Sequence, residues 1–418
     1  MISDKISALK TTSREDIHHH IFFFALILIV FTLPFSIPAC SFSIIILFVN
    51  WLAENKFQEK YKRLSNNSLA LLFMGLYVLH LAGMLYTTDV REGMIELEKK
   101  LSILIFPMIL ASSSSLTAAQ FYKIIYAFII ACTVAIFISI YNGIIIYINT
   151  GNFFQYSDLS SIVLFHYPYF GMYLVASSLF IAYLVSISTI RVSHKIILLI
   201  IAVINISFLF ILAARTALIS FFILLVANLL HKIFSRKIII LSLLLIAGLA
   251  MFAFYAAINM PQLNQRIQDA SVSMLIKMAS WNCSLEIVRE NNLIFGVGTG
   301  DSVVKLQECY AKNIEWLTEE RVNIALNVHN QFLEIFLSLG SVGLLYFIVC
   351  LIKPLQTSLK QNRILYINFI FCFIISITTE SMLNAQKGIV FYALFNALFA
   401  FHYVDNKNKH QPTIDKKI

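Results

Sequence analysis

Hydrophobic residues run along this chain in continuous blocks and not in alternation. Blocks of about 20 residues recur from His20 to Phe401, parted by short polar breaks. A block of that length crosses the hydrocarbon core of a bilayer as a helix. Barrel strands would alternate, so a β-barrel is excluded as the main plan. The pattern predicts an all-α, polytopic membrane protein of about twelve transmembrane helices. Their centres fall near residues 28, 45, 77, 108, 135, 178, 204, 224, 247, 341, 371 and 395. One long polar stretch, 258–328, interrupts them and reads as an outer loop containing short helices. The predicted organisation is an N-terminal bundle of about nine helices (1–257), the loop (258–328), C-terminal transmembrane helices (329–404) and a disordered polar tail (405–418).

Composition supports the membrane reading. Of 418 residues 59% are hydrophobic and only 13% charged, with mean hydropathy +0.81. A soluble domain carries charge on about a quarter of its residues. The net charge of +9 would suggest nucleic acid in a soluble chain, but here it fixes topology and no nucleic-acid partner is expected. With the N-terminus in the cytoplasm, the inner segments hold Lys5, Lys10 and Arg14; Lys56, Lys60, Lys62 and Arg63; Arg191 and Lys195; Lys232, Arg236 and Lys237; Lys353, Lys360 and Arg363; and the tail lysines from Lys407. The short outer segments hold only Arg91, Lys99, Lys100, Arg215 and Lys387. Every short inner loop but one follows the positive-inside pattern, and long loops translocate whatever their charge. Both termini are therefore expected inside, and the long loop outside. The first block lacks an A-x-A-like end and reads as a retained helix. No internal repeat marks a two-halved transporter.

Inside the loop, Pro261 to Met278 is helix-compatible, and Trp281 to Glu290 reads as a second short helix. FGVGTGD follows, with Gly296, Gly298 and Gly300. Such glycines can expose backbone N–H groups to an anion or simply make a turn. No strand precedes them, so the plain turn is the stronger reading. Cys283 and Cys309 share the loop, and spacing leaves open whether they pair. Cys40, Cys132, Cys350 and Cys372 lie in or beside apolar blocks, as small packing residues do.

Candidate chemistry collects on the outer face. Arg215, in FILAARTALISFF, sits between two apolar blocks with almost no loop. A guanidinium there is costly without a partner, and its planar fork suits a diphosphate; the plainer alternative is snorkelling to headgroups. His329, at the start of the next block, can take a proton from a hydroxyl nucleophile, or can merely cap a helix. Asn330 can bind substrate or cap. Lys277, Arg266, Lys99 and Lys100 are further candidate anion contacts. Glu380, in TTESMLNAQKG, can orient His329 or pair with a cation. Cations and one base suggest group transfer from a lipid diphosphate donor. The outer segments show no acidic cluster for a metal and no cofactor motif.

Three motifs carry a resemblance: AARTALIS around Arg215; Lys277-x-x-x-Trp281 followed by FGVGTGD; and His329-Asn330 with Glu334. LYTTDVREGMIELEKKLSILIFP and ESMLNAQKG add to it. The chain resembles the O-antigen ligase and O-antigen polymerase superfamily of bacterial envelopes, from about Leu81 to Phe401. The resemblance implies a metal-independent glycan transferase in the inner membrane, with its active site on the periplasmic face and membrane lipids around it. The implied donor is an undecaprenyl-diphosphate-linked glycan. The implied acceptor is lipid A–core for a ligase, or another lipid-linked repeat for a polymerase. The family's membrane-edge arginine maps to Arg215 and its histidine base to His329. Its second arginine maps to Lys277, which keeps the charge and loses the fork. A lipid-linked oligosaccharide flippase is the competing class. It would place charges near mid-membrane, whereas here His80 and Lys123 are the exceptions in nearly charge-free spans.

Overall fold

The computed structural model describes residues 14–151, 166–187, 190–212, 214–233, 262–313 and 327–403. The described residues are helices and turns, without a strand among them. In chain order the helices are α1 (Arg14–Thr32), α2 (Ile37–Ala53), α3 (Phe57–Ser65), α4 (Ser68–Gly83), α5 (Val90–Ser112), α6 (Ala118–Thr150), α7 (Tyr167–Ser186), α8 (Val192–Leu212), α9 (Arg215–Ile233), α10 (Gln262–Glu290), α11 (Ser302–Asn313), α12 (Gln331–Lys360), α13 (Ile364–Ile377) and α14 (Gln386–Phe401).

Every expected span centre except 247 falls inside one of these helices; 247 and the tail 405–418 lie outside the described residues. Length is where expectation and structure part. Among the described residues five helices are long and apolar enough to cross a membrane: α1, α6, α7, α8 and α12. The pair α2 and α3, bent by 110°, would make a sixth. α4, α13, α14 and residues 215–229 of α9 are apolar but shorter. An apolar block includes the residues that cap and turn, so the helix within it comes out shorter than the block.

α14 is the axis of the bundle. It is apolar all round, and Ile389 through Phe399 are buried on every side, as a helix without a polar face requires. Phe391, Phe395 and Phe399 pack on Phe128 of α6, Phe180 of α7 and Phe369 of α13. The four cysteines outside the loop are buried and free.

The two ends of the bundle differ. At one end Lys60 pairs with Glu54, Arg63 reaches the Ser112 carbonyl and Arg363 reaches those of Phe399 and Ala400. The other end carries the polar stretch. Its residues 262–290 form one continuous helix, not the two short ones expected, because Ala279 and Ser280 contain no breaker. Cys283 and Cys309 are disulfide-bonded, joining α10 to α11. Around that bond Ile287, Val288, Val297, Leu306 and Tyr310 form a second small core, closed by Val328 and Leu337.

α12 is broken where this small core docks. Gly340 has φ 63° and ψ −161°, which frees the carbonyls of Leu337 and Ser338. The N–H groups of Val297 and Gly298 bond those carbonyls at 2.9 and 3.0 Å. A Cβ at Gly340 would lie 2.3 Å from the Ile294 carbonyl oxygen. The glycine turn is thus a docking turn, and the N–H groups of Gly296, Val297, Gly298 and Gly300 are all occupied. Asp301, at its end, accepts from the backbone N–H groups of Thr88 and Asp89.

Candidate active site

Segments far apart in sequence meet at the end that carries the polar stretch. The first is the start of α12. Asn330 is extended, and its Oδ1 accepts from the N–H groups of Phe332 and Leu333, capping the helix. Just before it, His329 takes a left-handed conformation, φ 52°, with its N–H bonded to Asn327 Oδ1 at 2.9 Å. A non-glycine residue held there marks a local geometry that its surroundings must enforce.

The second segment is the turn between α13 and α14, which carries Glu380. The residue is 6% exposed and its carboxylate bridges two partners. Oε2 lies 3.1 Å from His329 Nδ1, and Oε1 accepts from Lys277 Nζ at 2.8 Å. The third segment is α10, which supplies Lys277; the same ammonium also donates to the Thr379 carbonyl at 2.8 Å. Burial pushes the Glu380 carboxyl up, but the His329 hydrogen bond and the Lys277 charge outweigh it and hold the group below its ordinary value. An ionised carboxylate only accepts, so in a neutral ring Nδ1 carries the proton and Nε2 keeps the lone pair.

The fourth segment is the start of α9. Thr216 Oγ1 lies 2.6 Å from Thr379 Oγ1, so Arg215 is one residue from a contact with the Glu380 turn. Its side chain is exposed at the helix N-terminus.

The remaining expected site residues stand differently. Lys100 is buried and closed onto Glu96 one turn earlier in α5, which also binds Lys99 at 2.6 Å. Asn330 uses its side-chain oxygen as the cap and its amide on the Thr378 carbonyl at 3.0 Å. Arg266 falls on α10 where side chains lie outside the described residues. A groove of about 540 Å³ lined by Thr88, Asp89, Val90, Asp301, Val304, Lys305 and Glu308 includes none of the His329 group.

Two contributors escaped the sequence reading. Thr379 joins the start of Arg215's helix to the Glu380 turn through its hydroxyl. His166 begins α7, stacks on Tyr167 with ring centroids 5.0 Å apart, and feels the charges of Glu380, His329 and Lys277. Tyr169 of that helix donates to the Ser381 carbonyl at 3.3 Å. The run HYPYF was the available signal: a histidine before a proline-started helix.

Residues 200–348 match the O-antigen ligase family. Over that stretch the chain is similar to O-antigen ligases. The matched stretch contains Arg215, Lys277, the disulfide, the glycine turn and His329, and it stops short of Glu380. The resemblance expected from the three motifs is therefore upheld for the family. No curated protein matches the chain.

Proposed function

We propose that this protein is a metal-independent glycan transferase that moves an undecaprenyl-diphosphate-linked polysaccharide to a lipid A–core acceptor, at the periplasmic face of the bacterial inner membrane. The reading rests on one observation above all. His329 is held by a buried carboxylate through Nδ1, which leaves Nε2 as a base. In the proposed step the acceptor hydroxyl loses its proton to His329 Nε2, and its oxygen attacks the anomeric carbon of the donor. The bond from that carbon to the diphosphate oxygen breaks, its electron pair leaves with the undecaprenyl diphosphate, and the configuration inverts. Arg215 offsets the charge on the leaving diphosphate, a role that suits a guanidinium fork beside a helix N-terminus. Lys277 keeps Glu380 ionised, and Arg266 is a further candidate contact. The similarity to O-antigen ligases supports the reaction class. A disulfide in the polar stretch suits an oxidising compartment and supports the periplasmic assignment.

His329→Ala should lower transfer by about two to four orders of magnitude while the variant inserts normally. Near-normal turnover of a correctly inserted, purified variant would remove the mechanism. A repeat-unit polymerase shares donor and chemistry. Deletion of the protein followed by gel analysis of envelope glycolipids separates the two. Loss of all polymer from lipid A–core means ligase, whereas single repeats attached there mean polymerase.

A further inference from the structure

His329 and Glu380 belong to different segments, and each sits in a turn, where the backbone has most freedom. Something must fix one turn against the other to better than an ångström, since small misplacements of a base cost large factors in rate. Asn330 and Lys277 do part of this. A third group, Glu334, stands one turn into α12 and is only 6% exposed. Its Oε2 accepts from the Val328 N–H at 3.1 Å and from the Ser381 hydroxyl at 3.2 Å. Val328 immediately precedes His329, and Ser381 immediately follows Glu380. Asn384, in the same turn, lies beside the Glu334 carboxyl.

We propose that Glu334 is a positioning residue, whose single oxygen Oε2 clamps the His329 turn to the Glu380 turn and so sets the imidazole against its carboxylate. This rests on the reading of His329 as the base. Glu334 touches neither ring nor Glu380, and acts only through the residues beside them.

The geometry separates a clamp from a required charge. Both bonds converge on one oxygen, and an amide oxygen accepts as a carboxylate oxygen does. Glu334→Gln can keep both if its amide nitrogen finds an acceptor on the other side. Asn384 Oδ1 is buried there without a hydrogen-bond partner among the described residues. A flip of the Asn384 amide would meet the new N–H group. Glu334→Ala removes both bonds and leaves the Val328 N–H unpaired. Ser381→Ala removes one bond and leaves the backbone intact.

The test measures kcat and KM for a lipid-diphosphate-linked glycan with purified, full-length variants. Glu334→Ala should lower kcat by about a hundredfold or more with KM changed less than about threefold. Glu334→Gln should stay within about threefold of wild type, and Ser381→Ala should fall between them. Equal losses in the Gln and Ala variants would overturn the clamp, because the charge would then be what matters. Wild-type kcat in Glu334→Ala, with His329→Ala inactive, would also overturn it and leave the base assignment standing. An active His329→Ala would instead strike at the underlying reading. If Glu334→Ala does not insert, the other two variants decide: an active Gln variant with a reduced Ser381→Ala supports the clamp, and a wild-type Ser381→Ala rejects it.

Discussion

Two lysine–glutamate pairs with buried glutamates lie toward the end of the bundle that holds His329, and they are built differently. Lys100 and Glu96 sit four residues apart on one helix, and Lys99 adds a second cation to the same carboxylate. Lys277 and Glu380 come from elements about a hundred residues apart, and their carboxylate has a third partner, His329. The first pair closes on itself within a helix and meets only the demand that buried charge be compensated. The second is assembled from separate segments and leaves an imidazole nitrogen uncommitted to the carboxylate. Assembly across segments, with one valence left over, is what distinguishes a working group from a structural one here.

The sharpest way to break that distinction is Glu380→Gln. Lys277 can only donate, so the amide oxygen must turn to it, and the amide N–H then points at His329 Nδ1. That forces the proton onto Nε2 and removes the base. Transfer should fall by about two orders of magnitude or more. Adding Lys277→Met frees the amide oxygen to face the ring, so the double variant should be more active than Glu380→Gln alone. A double variant slower than either single one would mean that tautomer control is not what the carboxylate supplies. Arg215→Lys comes next. The charge stays and the fork goes, and kcat should drop about tenfold. Unchanged turnover would show that bidentate geometry at this position is irrelevant.

Lys277→Met alone tests the pair through pH. Glu380 is held below its ordinary value against the pull of burial, partly by Lys277. Removing the cation favours the neutral acid, so the Glu380 pKa rises. A carboxylate depressed in the folded state stabilises it above the unfolded pKa, and that support is lost as pH falls through the folded value. In the variant this loss should set in at higher pH, moving the acid limb of the rate profile toward neutrality. Loss at neutral pH should stay within about tenfold, since the His329 ring still donates to the carboxylate when the ammonium is gone. An acid limb that does not move would detach Lys277 from Glu380.

Much of this was legible in the sequence for a physical reason: charge at the edge of an apolar block is costly, so Arg215, His329 and Glu380 stand out. For Glu380 the sequence offered His329 or a cation as partners; that it takes both, with Lys277 as the cation, was not legible, because Glu380 meets Lys277 across 103 residues and the helices alone decide that register. Lys277 read as a phosphate contact; the fold gives it to Glu380 and Thr379. The order of the small core was hidden too, since the Gly340 break lies inside an apolar run that reads as unbroken helix. The Glu96–Lys100 pair is the opposite case. ELEKK shows the four-residue spacing that pairs charges on one helix face, and the reading of Lys100 as an anion contact passed over it.

Lys100 therefore gives the smallest expected effect on transfer and the cleanest contrast. Lys100→Met leaves Glu96 buried with Lys99 as its remaining cation, and Lys99 is more exposed. Breaking a buried pair costs about 3–5 kcal/mol when nothing replaces the lost partner, and Lys99 should hold the cost toward the lower figure. Thermal unfolding in detergent should show that loss. Turnover of the folded fraction should change by less than about threefold, since kcat reports only what the transition state feels. Adding Glu96→Gln removes the uncompensated charge and should return much of the stability, as expected when an ion pair is replaced as a unit. A hundredfold loss of kcat in a stably folded Lys100→Met would put this lysine on the substrate after all, and the contrast between a closed pair and an assembled one would no longer separate structure from chemistry.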